Sequence, residues 1–207
     1  MMEISCPNEN STAFLAPLGA AAVLVVSSVL TQWSKPASYG KFHGSDPKET
    51  AKWEALGLIN QRLGHSLSDA GPTLCGFAAC YWVLVARSEV PVSSSSMTLA
   101  ALWLLHYLQR GLIHPLLMRY RAARVPALIT IAGLVPNSLF AWLNATAIAC
   151  LQPCVSNTWH SDPRFVFGVA IYAAGFYINR SADWTLRSLR AHPDKEGEYV
   201  RLPRAFR

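Results

Sequence analysis

Charged side chains are scarce in this sequence of 207 residues. Its 18 Lys and Arg and 12 Asp and Glu make up 14% of the chain, against about a quarter in an average soluble domain. Hydrophobic residues account for 52%. This composition excludes intrinsic disorder, a nucleic-acid-binding arm and a secreted disulfide scaffold. The length suits one domain.

Long segments lack Asp, Glu, Lys and Arg altogether. Three of them, at 10–34, 90–109 and 125–161, can each hold the roughly 20 apolar residues that cross a bilayer. Two shorter segments, 70–86 and 165–179, come close to that length. We therefore expect an all-α, polytopic membrane helix bundle with one membrane-embedded domain over 1–207 and a tail over 191–207. About five transmembrane helices are predicted, at 13–31, 71–87, 96–117, 126–150 and 165–182.

Basic residues alternate between poor and rich connecting segments along the chain. The N-terminal tail and the second and fourth loops have few, whereas the first and third loops and the C-terminal tail have many. The positive-inside rule then predicts a lumenal N-terminus and a cytosolic C-terminus in an endomembrane, the endoplasmic reticulum being the expected one. A cleavable signal peptide is the alternative for 13–31. Such peptides begin with basic residues, whereas this one begins with Glu3 and Glu9, so a retained span is expected.

Metal and nucleotide signatures are missing from the sequence. It has no GxGxxG, GxxxxGK[ST], HExxH or GxSxG pattern, and its six histidines are scattered, so no metal site is expected. The five cysteines are an odd number without paired CxxC spacing. This pattern favours unpaired thiols, with a Cys150–Cys154 pair on the lumenal side as the alternative.

A first polar cluster lies near the cytosolic end of the third predicted span. On a helix His106 and Arg110 share a face at i, i+4, and Tyr107 neighbours Arg110 at i, i+3. Such a group can donate hydrogen bonds to a carbonyl oxygen of an apolar substrate. The alternative is an interfacial aromatic belt with an arginine whose charged end reaches the membrane surface.

A second cluster follows the fifth predicted span. Asn179, Asp183, Arg187 and Arg190 fall at i, i+4, i+8 and i+11, which places them on one stripe of a helix. An amide, a carboxylate and two guanidiniums suit a ligand with hydroxyls and phosphates, because the planar arginine fork matches phosphate geometry. The alternative is a basic helix lying against anionic lipids.

Both clusters resemble motifs of the steroid 5α-reductase family. His106 to Arg110 is similar to its His-Tyr-x-x-Arg helix, and Gly175 to Arg190 is similar to its Gly-x-x-Ile-Asn-x-x-x-Asp-x-x-Leu-Arg-x-Leu-Arg segment. Lys-Pro-Ala-Ser-Tyr-Gly-Lys at 35–41 and Asp-Pro-Arg-Phe at 162–165 match further motifs. Order and spacing agree from about residue 14 to 203.

The resemblance implies an NADPH-dependent reductase that reduces the Δ4 double bond of a 3-oxo steroid. It implies a membrane-lipid environment, a steroid or other lipid enone as substrate and no nucleic acid. Tyr107 would be the catalytic donor to the substrate carbonyl. By matched position, the cofactor would be bound by Asn179, Asp183, Arg121 and Arg190, and the substrate site would be supported by Tyr39, His106 and Arg110.

The sequence departs from the family pattern in two places. Arg62 stands where the family has a Glu that partners the tyrosine. An arginine cannot exchange a proton at ordinary pH, although it can stabilise a developing negative charge. If the segment is shifted in the alignment, Glu54 is the alternative. Family members also continue through two more helices beyond the position of Arg207, so we expect the family core without its last two helices. A catalytically inactive sterol- or partner-binding protein, or an enoyl-thioester or polyprenal reductase, therefore stays open.

Overall fold

The structure, a computed structural model, describes residues 12–34, 47–55, 57–87, 92–120, 123–150 and 157–190. Most of these residues are helical. The helices are α1 (Thr12–Ser34), α2 (Pro47–Ala55), α3 (Gln61–Ala86), α4 (94–117), α5 (Ala127–Cys150) and α6 (Pro163–Leu189). The strands are β1 (Leu58–Asn60) and β2 (Arg124–Pro126), and one 3₁₀ turn covers Asn157–Ser161.

A helix is present at each of the five predicted positions, with two differences in length. The second helix begins at Gln61, ten residues ahead of the predicted 71. The prediction rested on the uncharged segment, which excludes Arg62 and Asp69, but both residues belong to the first three turns of the helix. The fifth continues to Leu189, beyond the predicted 182. Secondary structure thus follows the predicted order.

Two helices among the described residues, α3 and α5, are long and apolar enough to cross a membrane. The apolar part of α1, Phe14–Leu30, is shorter. These helices are consistent with a helical membrane protein, and the count of five spans stays a prediction.

Local capping explains where three helices begin. The Oδ1 atom of Asn60 accepts hydrogen bonds from the backbone N–H groups of Arg62 and Leu63 at 3.0 and 3.2 Å. In the same way Ser93 caps α4 and Asp162 caps α6. Each cap satisfies N–H groups that the first turn of a helix leaves unpaired.

A short antiparallel ladder, absent from the all-α prediction, ties the start of α3 to the start of α5. Residues 58–60 pair with 124–126 in the register Leu58↔Pro126 and Asn60↔Arg124. Gly57, at φ +95°, turns the chain out of α2 and into β1. Three-residue strands are too short to show a clear period-2 pattern, so they could not be predicted from the sequence.

The packed centre lies where α3, α4 and α5 meet. Phe77 is fully buried and stacks on Trp103 at a ring-centroid distance of 5.2 Å, while the small residues Ala100, Ala141 and Ala145 allow the helices to approach closely. The indole N–H of Trp103 donates to the carbonyl of Thr73 at 2.9 Å. The core therefore fixes α4 against α3 one turn before Tyr107.

Two of the three helices that meet at this core contain a π-helical turn, Gly71–Gly76 in α3 and Leu108–Ile113 in α4. A Cβ atom added to Gly111 would lie 2.7 Å from the backbone nitrogen of Ala70. Only glycine fits this contact without movement, and it brings the π turn of α4 directly against α3. π turns are frequent at functional sites because they redirect side chains.

The prediction of unpaired thiols was wrong for one cysteine. Cys150, the last residue of α5, is disulfide-bonded, whereas Cys75 and Cys80 are free. Cys154, the partner considered above, lies outside the described residues. Sequence spacing alone does not determine which cysteines pair.

Candidate functional site

The two motif clusters meet at the same end of the helix bundle. His114, near the C-terminal end of α4, places its Nδ1 atom 3.0 Å from Oδ2 of Asp183 on α6. Arg180 Nη1 lies 3.7 Å from the same oxygen. Residues that are about 70 positions apart in the sequence thus form one polar surface.

Aromatic contacts hold the ring of Tyr107 at this end. Its centroid lies 4.6 Å from that of Trp103 and 5.0 Å from that of His106, which meets it edge-on. The His106 ring also approaches Tyr172 and Phe176 of α6, each at 6.4 Å. Within the described part of the chain no hydrogen-bond partner is found for the Tyr107 hydroxyl, so a ligand oxygen can serve as its acceptor.

The sequence analysis missed Asp69, whose carboxylate lies at the centre of this polar surface. Its Oδ1 atom accepts hydrogen bonds from Ser68 Oγ and Asn137 Nδ2, both at 3.1 Å. Its Oδ2 atom lies 3.4 Å from His65 Nε2 and 3.4 Å from Arg110 Nε. The side chain is only 13% exposed, and these four donors compensate the cost of burying a charge.

His65 links the Asp69 carboxylate to Tyr120, which lies just after α4. The Tyr120 hydroxyl is 2.8 Å from His65 Nδ1. Burial raises the pKa of Tyr120 to about 12, so the hydroxyl keeps its proton. In the His65 tautomer that carries its proton on Nε2, this hydroxyl donates to Nδ1. The other nitrogen, Nε2, is then the donor to Asp69, and the His65 ring lies 5.4 Å from that of His114. A continuous polar chain therefore runs from Arg110 to Asp183.

A shallow cleft between α4 and α6 is lined by two arginines, Arg180 and Arg187, and a third, Arg190, follows at the C-terminal end of α6. Arg187 lies over the Trp184 ring at 5.0 Å, and Arg190 Nη1 donates to the carbonyl of Arg119 at 2.9 Å. Guanidiniums beside a carboxylate and a flat aromatic ring form a donor set that fits a nucleotide with phosphates and hydroxyls. The cleft is lined by His114, Leu117, Met118, Arg180, Asp183, Trp184 and Arg187.

Of the four remaining predicted site residues, the structure describes two. Arg62 is exposed in the first turn of α3, two helical turns before Asp69. Asn179 is exposed on α6, one turn before Asp183. Tyr39 and Arg121 lie outside the described residues.

A signal for Asp69 and His65 was available in the sequence. Asp69 directly precedes an uncharged segment, and His65 lies four residues earlier, on the same helical face. A carboxylate at the edge of a membrane segment is costly and therefore a functional candidate. The signal was missed because the helix was predicted to begin at 71, which left both residues in a loop.

Comparison with known proteins identifies relatives of the whole described region. The family model described as 3-oxo-5-alpha-steroid 4-dehydrogenase matches residues 123–206. The chain is 29% identical to 3-oxo-5-alpha-steroid 4-dehydrogenase 2 of Rattus norvegicus over 191 residues, which are 90% of this chain and 67% of that protein. It is 28% identical to the Homo sapiens type 2 protein over 98% of this chain and 71% of that protein.

A type 1 relative matches more closely over a shorter region. The protein of Bos taurus is 34% identical over 117 residues, which are 51% of this chain and 39% of the bovine protein. The chain thus spans about two thirds of the type 2 rat protein and well under half of the bovine one. These matches confirm the family that the motifs predicted. The chain is thus similar over most of its length to the 3-oxo-5-alpha-steroid 4-dehydrogenases, or steroid 5α-reductases.

Proposed function

We propose that the protein uses NADPH to reduce the Δ4 double bond of a 3-oxo steroid. The observation that carries this proposal is the contact between His114 on α4 and Asp183 on α6, at 3.0 Å. It joins the segment expected to bind the substrate carbonyl to the segment expected to bind the cofactor. A hydride can pass between two ligands only if their sites adjoin, since reacting atoms must approach to about 3–3.5 Å.

The basic side of the site suits the cofactor. Arg187 and Arg190 bind phosphate groups. The Asp183 carboxylate accepts hydrogen bonds from ribose hydroxyls, and the Asn179 amide, one turn earlier, accepts or donates them. Arg121 is proposed as a further phosphate ligand from its motif position. When bound, the dihydronicotinamide would supply a hydride to the β-carbon of the enone, and a proton from solvent would complete the reduction at the α-carbon.

On the substrate side Tyr107 donates its O–H to the 3-oxo oxygen of the steroid. Negative charge develops on this oxygen as the β-carbon receives the hydride, and a donor aimed at it stabilises the transition state. Arg110, one turn further along α4, adds positive charge nearby. His106 fixes the orientation of the Tyr107 ring by its edge-on contact at 5.0 Å. From their motif positions, Tyr39 is proposed as a supporting group and Arg62 as a second catalytic group, which stabilises the negative charge that develops on the substrate.

The membrane arrangement follows the charge distribution. We place the site at the cytosolic end of the bundle, where a soluble cofactor reaches it from water and a steroid from the bilayer. The N-terminus is then lumenal, and the endoplasmic reticulum is the proposed compartment. The disulfide bond of Cys150 supports this orientation, because it puts the C-terminal end of α5 on an oxidising side.

The test is reduction of a 3-oxo-Δ4 steroid by membranes that contain the protein, with NADPH supplied. Tyr107→Phe should lower kcat by roughly 100-fold, the usual cost of removing one donor to a developing oxyanion, and should leave NADPH affinity unchanged. Arg190→Ala should instead weaken NADPH binding. The matched control is Tyr177→Phe, which removes the hydroxyl of a side chain that is 72% exposed on α6 and should leave turnover unchanged.

Two results would contradict these roles. Equal loss of NADPH affinity in Tyr107→Phe and Arg190→Ala would refute the assignment of substrate and cofactor sides. Binding of labelled steroid without any product, in correctly inserted wild-type protein, would favour a sterol-binding protein without catalysis. Reduction of an enoyl thioester or a polyprenal in place of the steroid would change the substrate class.

A further inference from the structure

The carboxylate of Asp69 is the most enclosed charge near the proposed catalytic tyrosine, and no motif of the sequence includes it. It lies three turns into α3, a helix long and apolar enough to cross a membrane. Charges in such positions are rare and are normally retained for function. The partners of Asp69 therefore indicate what it does.

The four donors around Asp69 divide between its two oxygens. Ser68 and Asn137 occupy Oδ1, and both come from the packed faces of α3 and α5. His65 and Arg110 occupy Oδ2, at 3.4 Å each. The Oδ1 contacts fix the carboxylate to the helix core, so Oδ2 has a fixed position as an anchor.

Arg110 is the partner with the most freedom. Its side chain is 57% exposed, and the contact with Asp69 uses Nε. An exposed arginine otherwise samples many rotamers, and ordering it costs side-chain entropy. The contact between Asp69 and Arg110 Nε restricts these rotamers before the substrate binds. The two terminal nitrogens of the guanidinium are not needed for this contact.

We propose that Asp69 is a positioning residue of the reductase site, which acts by holding the Arg110 guanidinium beside Tyr107. The inference rests on the proposed function, because the charge matters only if an oxyanion forms at Tyr107. If Arg110 is already fixed, its side chain does not have to move when negative charge develops on the substrate oxygen. Positive charges that are in place before the reaction stabilise the transition state most effectively. Without Asp69, Arg110 turns towards water and its charge is screened.

The experiment measures kcat, KM for steroid, NADPH binding and thermal unfolding for Asp69→Asn, Arg110→Gln and the double variant. Asp69→Asn keeps the size of the side chain and removes its charge. This variant should lower kcat roughly tenfold or more and leave NADPH binding unchanged. The loss is expected to be part of the roughly 100-fold cost of removing one oxyanion-stabilising group, because Arg110 itself is still present. If Asp69 acts through Arg110, the double variant should be no slower than Arg110→Gln alone.

The matched control is Asp162→Asn at the opposite end of α6. Asp162 is also a carboxylate paired with an arginine, Arg164, at 2.7 Å, so the chemical change is the same but distant from the site. It should leave kcat unchanged. If Asp69 had only a structural role, Asp69→Asn would lower the unfolding temperature, and the losses of kcat from the two single variants would multiply in the double variant. This result would overturn the inference.

The outcomes separate the inference from the proposed function. An inactive wild-type protein refutes the function, and the inference is refuted with it. An active wild-type protein with an equally active Asp69→Asn variant refutes the inference alone. An active wild-type protein, a slow Asp69→Asn variant and a non-additive double variant support both.

Discussion

The contact between Gly111 and Ala70 determines how closely α3 and α4 pack beside the site. A Cβ atom at position 111 would lie 2.7 Å from Ala70 N and 2.8 Å from its Cα and Cβ, whereas ordinary contact begins at 3.4 Å. Two of these atoms are backbone and cannot rotate away. Gly111→Ala must therefore separate the two helices by about 0.7 Å, the difference between 2.7 and 3.4 Å.

The energetic cost can be bounded from this geometry. Overpacking costs about 1–3 kcal/mol, and a backbone clash belongs at the upper end of that range. Alanine recovers about 1 kcal/mol through its higher helix propensity. The net loss should be about 1–2 kcal/mol in the free energy of unfolding, or a fall in Tm of roughly 2–8 °C for a chain of this size.

Gly168→Ala on α6 is the matched control. Nothing lies within 4 Å of its added Cβ, so this variant gains helix propensity without a clash and should be at least as stable as wild type. Thermal unfolding in detergent micelles, followed by circular dichroism, compares the three proteins. A Tm for Gly111→Ala no lower than that of Gly168→Ala would refute the argument that glycine is required by close helix packing.

Two further predictions concern the ends of α3 and α4. Asn60→Ala removes the acceptor of two N–H groups at the start of α3 and should lower the free energy of unfolding by about 1 kcal/mol, measured by chemical denaturation, while Asn60→Asp should keep most of it. Burial raises the pKa of Tyr120 to about 12 from an ordinary 10, so its contribution to stability is complete below pH 10 and is lost as pH rises towards 12. Wild-type protein should therefore lose more stability than Tyr120→Phe between those values, and its tyrosinate absorbance should include a late-titrating group that Tyr120→Phe lacks. Equal losses in both proteins would contradict the assignment.

Helix positions and the family were predictable because both depend on local sequence. The uncharged segments located five helices to within a few residues at most ends, since a helix buried in apolar surroundings excludes charge over its length. The motifs at His106 to Arg110 and at Gly175 to Arg190, with the shorter matches at 35–41 and 162–165, together indicated the family through residue type, order and spacing. Prediction was weakest where a helix contains charged residues. Arg62 and Asp69 belong to α3, but their charges led to the prediction of a loop there.

The site itself required the tertiary structure. The sequence determined which residues can donate, accept or carry charge, and that Asp183 and Arg190 share a face with Arg187. Only packing decided that Asp183 meets His114 and that Asp69 meets Arg110. The physical reason is distance along the chain: helical periodicity relates residues three or four positions apart, whereas contacts between helices depend on crossing geometry, which small residues such as Gly111 determine by allowing backbones to touch.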